Sequence, residues 1–257
     1  MKNQATKTLS IYKSKLKNIF FKEDYSYIYA DNYLTGEKRI VPGNINFNSL
    51  TQLCELMMKK GSDKGGFVGR SRHNYTPLYY RIFKKWENQN INFFELGIGT
   101  TNTDLASNMG ETGTPGASLK GWKDFFKKAE IFAADIDRNI LFQEDRIRTY
   151  YCDQTSPADI SAMWNEIGLN NKFEVIFDDG LHEFHANVIF FENSIQRLKD
   201  NGIFIIEDVL ENTLEEWISY LNNYAINTMD IRFSIIKIPN PHNLHDNNLI
   251  VIGKKSN

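Results

Sequence analysis

From Ile91 to the C-terminus, short apolar runs alternate with segments whose apolar residues recur every three or four positions. The short runs predict strands at 91–96, 130–134, 147–152, 173–178 and 202–207. Those around Phe93-Phe94, Val175-Ile176-Phe177 and Ile203-Phe204-Ile205-Ile206 are apolar until they stop abruptly in glycines or acids. That is the pattern of strands covered on both faces. The periodic segments predict helices near 118–128, 157–167, 184–199 and 212–223. Strand–helix alternation implies a doubly wound α/β sheet, mostly parallel, with helices on both faces. A last pair, 231–238 and 247–253, is joined by the short polar stretch 239–246 and predicts an antiparallel C-terminal hairpin at one edge.

Upstream, residues 47–60 have helical spacing and Gly61-Ser62-Asp63-Lys64-Gly65-Gly66 reads as a loop. Tyr75 to Trp86 predicts a helix with Pro77 in its first turn. Residues 1–45 look like a small appendage, with loosely helical spacing from Ser10 to Phe21 and alternating Tyr25, Tyr27 and Tyr29 suggesting a hairpin. The division expected is therefore an appendage over 1–45, which would meet a second copy of the chain or another surface, and one main domain over 46–257.

Composition narrows this picture. A chain of 257 residues with 41% hydrophobic content can bury one sizeable core. A net charge of −2 gives no bulk basic field for nucleic acid. Lys2, Lys7, Lys13, Lys15 and Lys17 fall in the first twenty residues with no acid among them. That segment is either a surface-seeking or partner-seeking helix or a solvated tail. No long uncharged apolar run predicts a membrane span or a secretory signal, so no stable membrane insertion is expected. Cys54 and Cys152 do not make a disulfide framework, and a reduced, cytoplasmic setting is the default.

Ligands of an open parallel sheet bind beyond the carboxyl ends of its strands. The residues that close these runs should therefore share one crevice. Glu95-Leu96-Gly97-Ile98-Gly99 supplies glycines that let the backbone turn tightly and approach a ligand; an ordinary strand-to-helix turn is the alternative. A dinucleotide fingerprint would want a glycine at 102, where Asn102 stands. Asp135 is the candidate for a ribose diol, with Asp137 a helix N-cap. Asp153 either accepts from an adenine amino group or caps the helix that follows.

Asp178, Asp179, Glu207 and Asp208 close two strands that should be neighbours. Crowded carboxylates raise one another's pKa, and a divalent cation relieves them; oxygen ligands favour Mg²⁺ over Ca²⁺ or Mn²⁺. The alternative is a cap and a solvated acid with no metal. His182, three residues after Asp179, is placed either to take a proton from a hydroxyl held at such a metal or to bond a backbone carbonyl. His185 reads as supporting or surface.

Together these residues resemble the class I S-adenosylmethionine-dependent methyltransferases, and more narrowly the metal-dependent O-methyltransferases of macrolide and capsule sugars. The resemblance runs from about Leu53 onward. It rests on Ser62-Asp63-Lys64-Gly65 with His73 and Tyr75, Glu95 to Gly99, Gly116-Ala117-Ser118-Leu119 with Trp122, Asp135-Ile136-Asp137, Asp153-Gln154, Asp178-Asp179-Gly180 with His182, and Ile206-Glu207-Asp208. It implies a Rossmann-like fold, S-adenosylmethionine and Mg²⁺ or another divalent cation. It implies Lys64, Tyr75, Glu95, Gly97, Gly99, Asp135, Asp153 and Asp178 about the cofactor, with Asp63 beside them. Asp179, Glu207 and Asp208 would be metal ligands, and His182 with Asp179 the catalytic groups. Leu181 stands where small residues are frequent in the motif.

The reaction implied is methylation of a hydroxyl on a sugar or capsular-polysaccharide precursor. Two other readings stay open beside it. One is methylation of a phosphate or phosphoramidate oxygen, for which Arg70, Arg72, His242 and His245 are basic loop residues. The other is a nicotinamide-dependent sugar-nucleotide oxidoreductase, against which Asn102 and the Glu207-Asp208 pair count. A non-catalytic assembly protein that kept the fold is the rival from another class.

Overall fold

The computed structural model describes residues 47, 49–65, 73–168, 170–228, 231–238, 240, 243 and 245–254. The expected appendage, its hairpin and the division at residue 45 lie outside the described residues, as do Arg70, Arg72 and His242. The strands are β1 (Asn92–Leu96), β2 (Glu130–Asp135), β3 (Gln143–Glu144), β4 (Ile147–Tyr151), β5 (Phe173–Asp178), β6 (Leu198–Ile206), β7 (Ile231–Lys237) and β8 (Asn248–Lys254). The helices are α1 (Gln52–Lys60), α2 (Thr76–Phe83), α3 (Ala117–Phe125), α4 (Pro157–Ile167), α5 (Phe184–Ser194) and α6 (Leu214–Thr228). The described strands form one sheet in the order β3-β4-β2-β1-β5-β6-β8-β7. β4, β2, β1, β5 and β6 are parallel, and β8 runs antiparallel between β6 and β7. This is the doubly wound, Rossmann-like sheet with an antiparallel C-terminal edge.

Strand alternation sends neighbouring side chains into different layers. Phe94 packs with Trp164, Phe190, Phe204 and Trp217, under α4, α5 and α6. Phe93 packs with Leu53, Tyr79, Phe83, Trp122 and Phe177, under α1, α2 and α3. Local signals set the helix ends. Thr51 caps α1 by accepting from the Cys54 amide at 3.2 Å, and Ser156 caps α4 ahead of Pro157.

Several boundaries differ from expectation. The helix predicted over 184–199 ends at Ser194, a 3-10 turn follows, and β6 begins at Leu198. Leu198 pairs with Phe173 of β5, so sheet pairing takes the chain from the helix. The helix predicted to 128 ends at Phe125, because Phe126 is extended and the Lys127 amide bonds the carbonyl of Glu87. α6 runs on to Thr228 with Ala225 buried, and the two-residue β3 had no counterpart in the sequence pattern.

The order of strands reverses between β1 and β5, since β2 and β4 extend one way from β1 and β6 extends the other from β5. An open sheet binds its ligand at that reversal.

Candidate active site

A cleft of about 1000 Å³ opens over the carboxyl ends of β1, β2, β4, β5 and β6. Asp63, Lys64, Gly97, Gly99, Asp135, Asp153, Asp179, His182 and Asp208 line it. Tyr75, Glu95, Asp178 and Glu207 lie behind its wall, each essentially fully buried.

The turn after β1 is held open by its own backbone. Gly97 and Gly99 adopt φ of +93° and +87°, a region that favours glycine. Asp135, at the end of β2, accepts from the Ile98 amide at 2.7 Å and from the Asp137 amide at 2.9 Å. Burial raises its pKa, against the pull of these amides. Asp137 caps the next turn through the Asn139 amide and accepts from the Thr100 hydroxyl, which lowers its pKa. One oxygen of Asp153 takes both the amide and the hydroxyl of Thr155. Beneath them, Asp178 accepts from Gln154 at 2.8 Å and Asn187 at 2.9 Å, and burial pushes its carboxyl up to about 7.

The acidic end sits where β5 meets β6. The Lys64 ammonium bonds Asp179, lies 2.5 Å from Glu207 Oε2 and sits 3.8 Å from Glu95 Oε1. Burial alone would lower the Lys64 pKa, but Asp179, Glu207 and Glu95 override it and hold the group well above the usual lysine range. The other oxygen of Glu207 accepts from the Tyr79 hydroxyl. Burial raises Glu207 well above its ordinary value, Lys64 opposes this, and Asp179 and Asp208 add to it. Glu95 is pushed up to about 7 by burial; its Oε2 accepts from Trp122 Nε1 at 2.7 Å and its Oε1 has no hydrogen-bond partner among the described residues. Tyr75 donates to Asp208 Oδ1 at 2.5 Å, and His73 Nδ1 lies 3.2 Å from the same oxygen. Burial, then Asp208, raises the Tyr75 pKa well above its ordinary value, so the phenol stays a donor.

His182 Nε2 lies 3.7 Å from Asp208 Oδ2, while its Nδ1 is buried without a hydrogen-bond partner among the described residues. His182 and Asp208 have φ of +62° and +53°. Non-glycine residues hold that conformation only where the surroundings impose it, and such strain clusters at ligand sites.

Of the predicted metal-binding residues, Asp179 and Asp208 approach one another together with His182, their ligand atoms all within 4.8 Å. Glu207 is adjacent, with both oxygens engaged by Lys64 and Tyr79. His185 is exposed on the first turn of α5, and His245 is exposed where it lines the cleft.

No protein-family profile matches the sequence. Two curated relatives are the mycinamicin VI 2''-O-methyltransferase of Micromonospora griseorubida, 31% identical over 158 residues, and the 8-demethyl-8-alpha-L-rhamnosyl tetracenomycin-C 2'-O-methyltransferase of Streptomyces olivaceus, 28% identical over 157. Each match covers 61% of this chain and little more than a third of the relative, 36% and 37%. Among solved structures, the MycE methyltransferase of the mycinamycin pathway with Mg and SAH superposes with a TM-score of 0.57 at 22% identity, covering 81% of this chain and 56% of that one. The chain has a methyltransferase fold. It resembles the sugar O-methyltransferases among class I enzymes.

Within that fold the residues present suit a divalent cation. Glu95, Asp179 and Glu207 converge on a single ammonium, and Asp179, Asp208 and His182 leave oxygen and nitrogen donors facing the cleft. Three acids about one lysine, with Asp208 beside them, make a site that a further cation would suit. Tyr79 is not singled out by the sequence, and Trp122 enters there only as part of the motif that carries the resemblance, with no role of its own. Both are buried aromatics at helical spacing, and that pattern announces a core, not a hydrogen bond to an acid. The nearest signal was the four-residue step from Tyr75 to Tyr79, one helical turn.

Proposed function

We infer that this protein is an O-methyltransferase that moves the methyl of S-adenosylmethionine to a hydroxyl of a sugar, within a main domain over 46–257. One observation carries the reading: the glycine turn of β1 and the acidic, histidine-bearing ends of β5 and β6 share one cleft at the sheet's reversal. Relatives named as rhamnosyl-tetracenomycin and mycinamicin O-methyltransferases support a sugar oxygen as acceptor. A capsular-polysaccharide precursor, methylated in the cytoplasm, is the narrower proposal.

Gly97 and Gly99 let the backbone approach the methionine part of the donor, with Glu95 behind the turn. Asp135 keeps lone pairs for the ribose hydroxyls beyond the two amides it already holds. Lys64 and Tyr75 act here by fixing Asp179 and Asp208, and Asp178 by fixing the Gln154 loop. Transfer from a sulfonium is an in-line displacement, with the acceptor oxygen roughly 3 Å from the methyl carbon. Asp179 and Asp208, with Glu207 adjoining, would hold Mg²⁺, which when bound lowers the pKa of an acceptor hydroxyl. His182 takes that hydroxyl's proton on the ring nitrogen facing Asp208.

The test is a labelled-methyl screen over free sugars, nucleotide sugars, glycosylated macrolides and sugar phosphates, with and without Mg²⁺. Transfer to a sugar hydroxyl is expected. Transfer only to a phosphate oxygen, or a thermal shift with NAD⁺ and none with S-adenosylhomocysteine, overturns it.

A further inference from the structure

Lys64 is an unusual neighbour for a divalent-cation site. It reaches the acids from the loop after α1, its side chain is 3% exposed, and its ammonium bonds Asp179 and Glu207 at once. The other oxygen of Glu207 is taken by the buried Tyr79 hydroxyl, so Glu207 is held from two sides. Asp179, Asp208 and His182 are the members that solvent reaches, with side-chain exposures of 20%, 13% and 25%. An ion entering from the cleft therefore meets an Asp179 whose Oδ2 is already bonded by Lys64.

Asp179 and Glu207 stand at the ends of neighbouring parallel strands, with Asp178 paired to Ile206 in the sheet. Without a positive charge between them, the buried Glu207 and the half-buried Asp179 would repel at short range. The ammonium meets that need in the absence of metal. It also opposes the metal, because two cations on one carboxylate repel each other and share its charge.

We propose that Lys64 is a built-in counter-cation: with Tyr79 locking Glu207, its ammonium holds the acids in place when no divalent ion is bound, and it competes with that ion for Asp179 and Glu207. Lys64 is thus a positioning residue that trades ion affinity for an ordered empty site. The inference rests on the proposed function only in assuming that a divalent ion binds at these acids.

The test compares Mn²⁺ affinity, by paramagnetic titration of the full chain without methyl donor, in the wild type and Lys64→Gln. The variant is expected to bind Mn²⁺ about tenfold tighter, because a nearby positive charge is gone. Its melting temperature should fall without metal and recover more on Mn²⁺ addition than the wild type's does. Folded Lys64→Gln with equal or weaker Mn²⁺ affinity overturns the proposal. Should Lys64→Gln not fold, the wild type labelled with ¹⁵N at the lysine side chains serves. The Lys64 resonance must move with the same Mg²⁺ dependence as ion binding, and an unmoved resonance at saturation overturns the competition. If neither protein binds an ion, the counter-cation idea falls together with the metal, while binding of S-adenosylhomocysteine still reports separately on the methyltransferase reading.

Discussion

Gly97 lies so close to Asp179 that a Cβ on the glycine would fall 1.9 Å from the Asp179 carbonyl oxygen. The turn that would cradle the methyl donor and the strand end that carries the acids are thus packed against each other, with no room for a side chain between them. The Asp179 amide in turn bonds the Leu96 carbonyl at 3.0 Å, so sheet pairing continues into the site. Gly97→Ala adds a methyl there at a φ of +93°. It is expected to lower stability by about 3 kcal/mol or more and to abolish the thermal shift with S-adenosylhomocysteine. An alanine variant that melts and responds like the wild type would contradict this packing.

His182 faces Asp208 at 3.7 Å, beyond the end of β5 and not in the glycine turn after β1. His182→Ala should reduce methyl transfer by ~10²-fold or more, the ordinary contribution of a positioned base. The stabilisation by S-adenosylhomocysteine should stay within error. Equal loss of turnover and of that stabilisation would assign His182 to binding.

Asp208 is held by Tyr75 and His73 on one oxygen and offers the other toward His182. Chelation with EDTA should halt turnover, and added Mg²⁺ should restore it. Asp208→Asn should demand markedly more Mg²⁺ for half-maximal rate. Turnover that survives exhaustive chelation would remove the metal from the proposal.

Asp178 has a pH signature. Burial raises its carboxyl from 3.8 to about 7 in the folded chain. Between those values the folded protein keeps a proton that the unfolded chain has released. The folded state therefore binds more protons, and stability falls as pH rises from about 4 to about 7. Above that range this group adds no further slope. Asp178→Asn removes the titration but retains a side chain for Gln154 and Asn187 to bond. In denaturant titrations from pH 5 to 8, the wild type's stability relative to Asp178→Asn should decline by a few kcal/mol. A constant difference would show that Asp178 is ionised throughout.

Strand positions were legible because burial writes itself into local pattern. Apolar runs stop where the backbone leaves the sheet, at Leu96, Asp178 and Ile206. The helix after Glu183 was overextended because 195–199 carries apolar residues that suit either a helix or a strand, and the choice belonged to Phe173 across the sheet. The acids and histidine stood out by type and position. Their partners did not, since nothing local ties Lys64 to Asp179, 115 positions away, or Tyr79 to Glu207, 128 positions away.

The amino-acid order by itself determined the alternation of strands and helices, the glycine turn after Leu96 and the chemical types gathered at strand ends. Those follow from backbone sterics and from which residues leave water, both properties of neighbours along the chain. The tertiary structure decided which charges meet. Sheet order set β5 beside β6, and the loop after α1 brought one ammonium between their acids. Electrostatic partnership depends on distance through space, and the fold alone closes that distance.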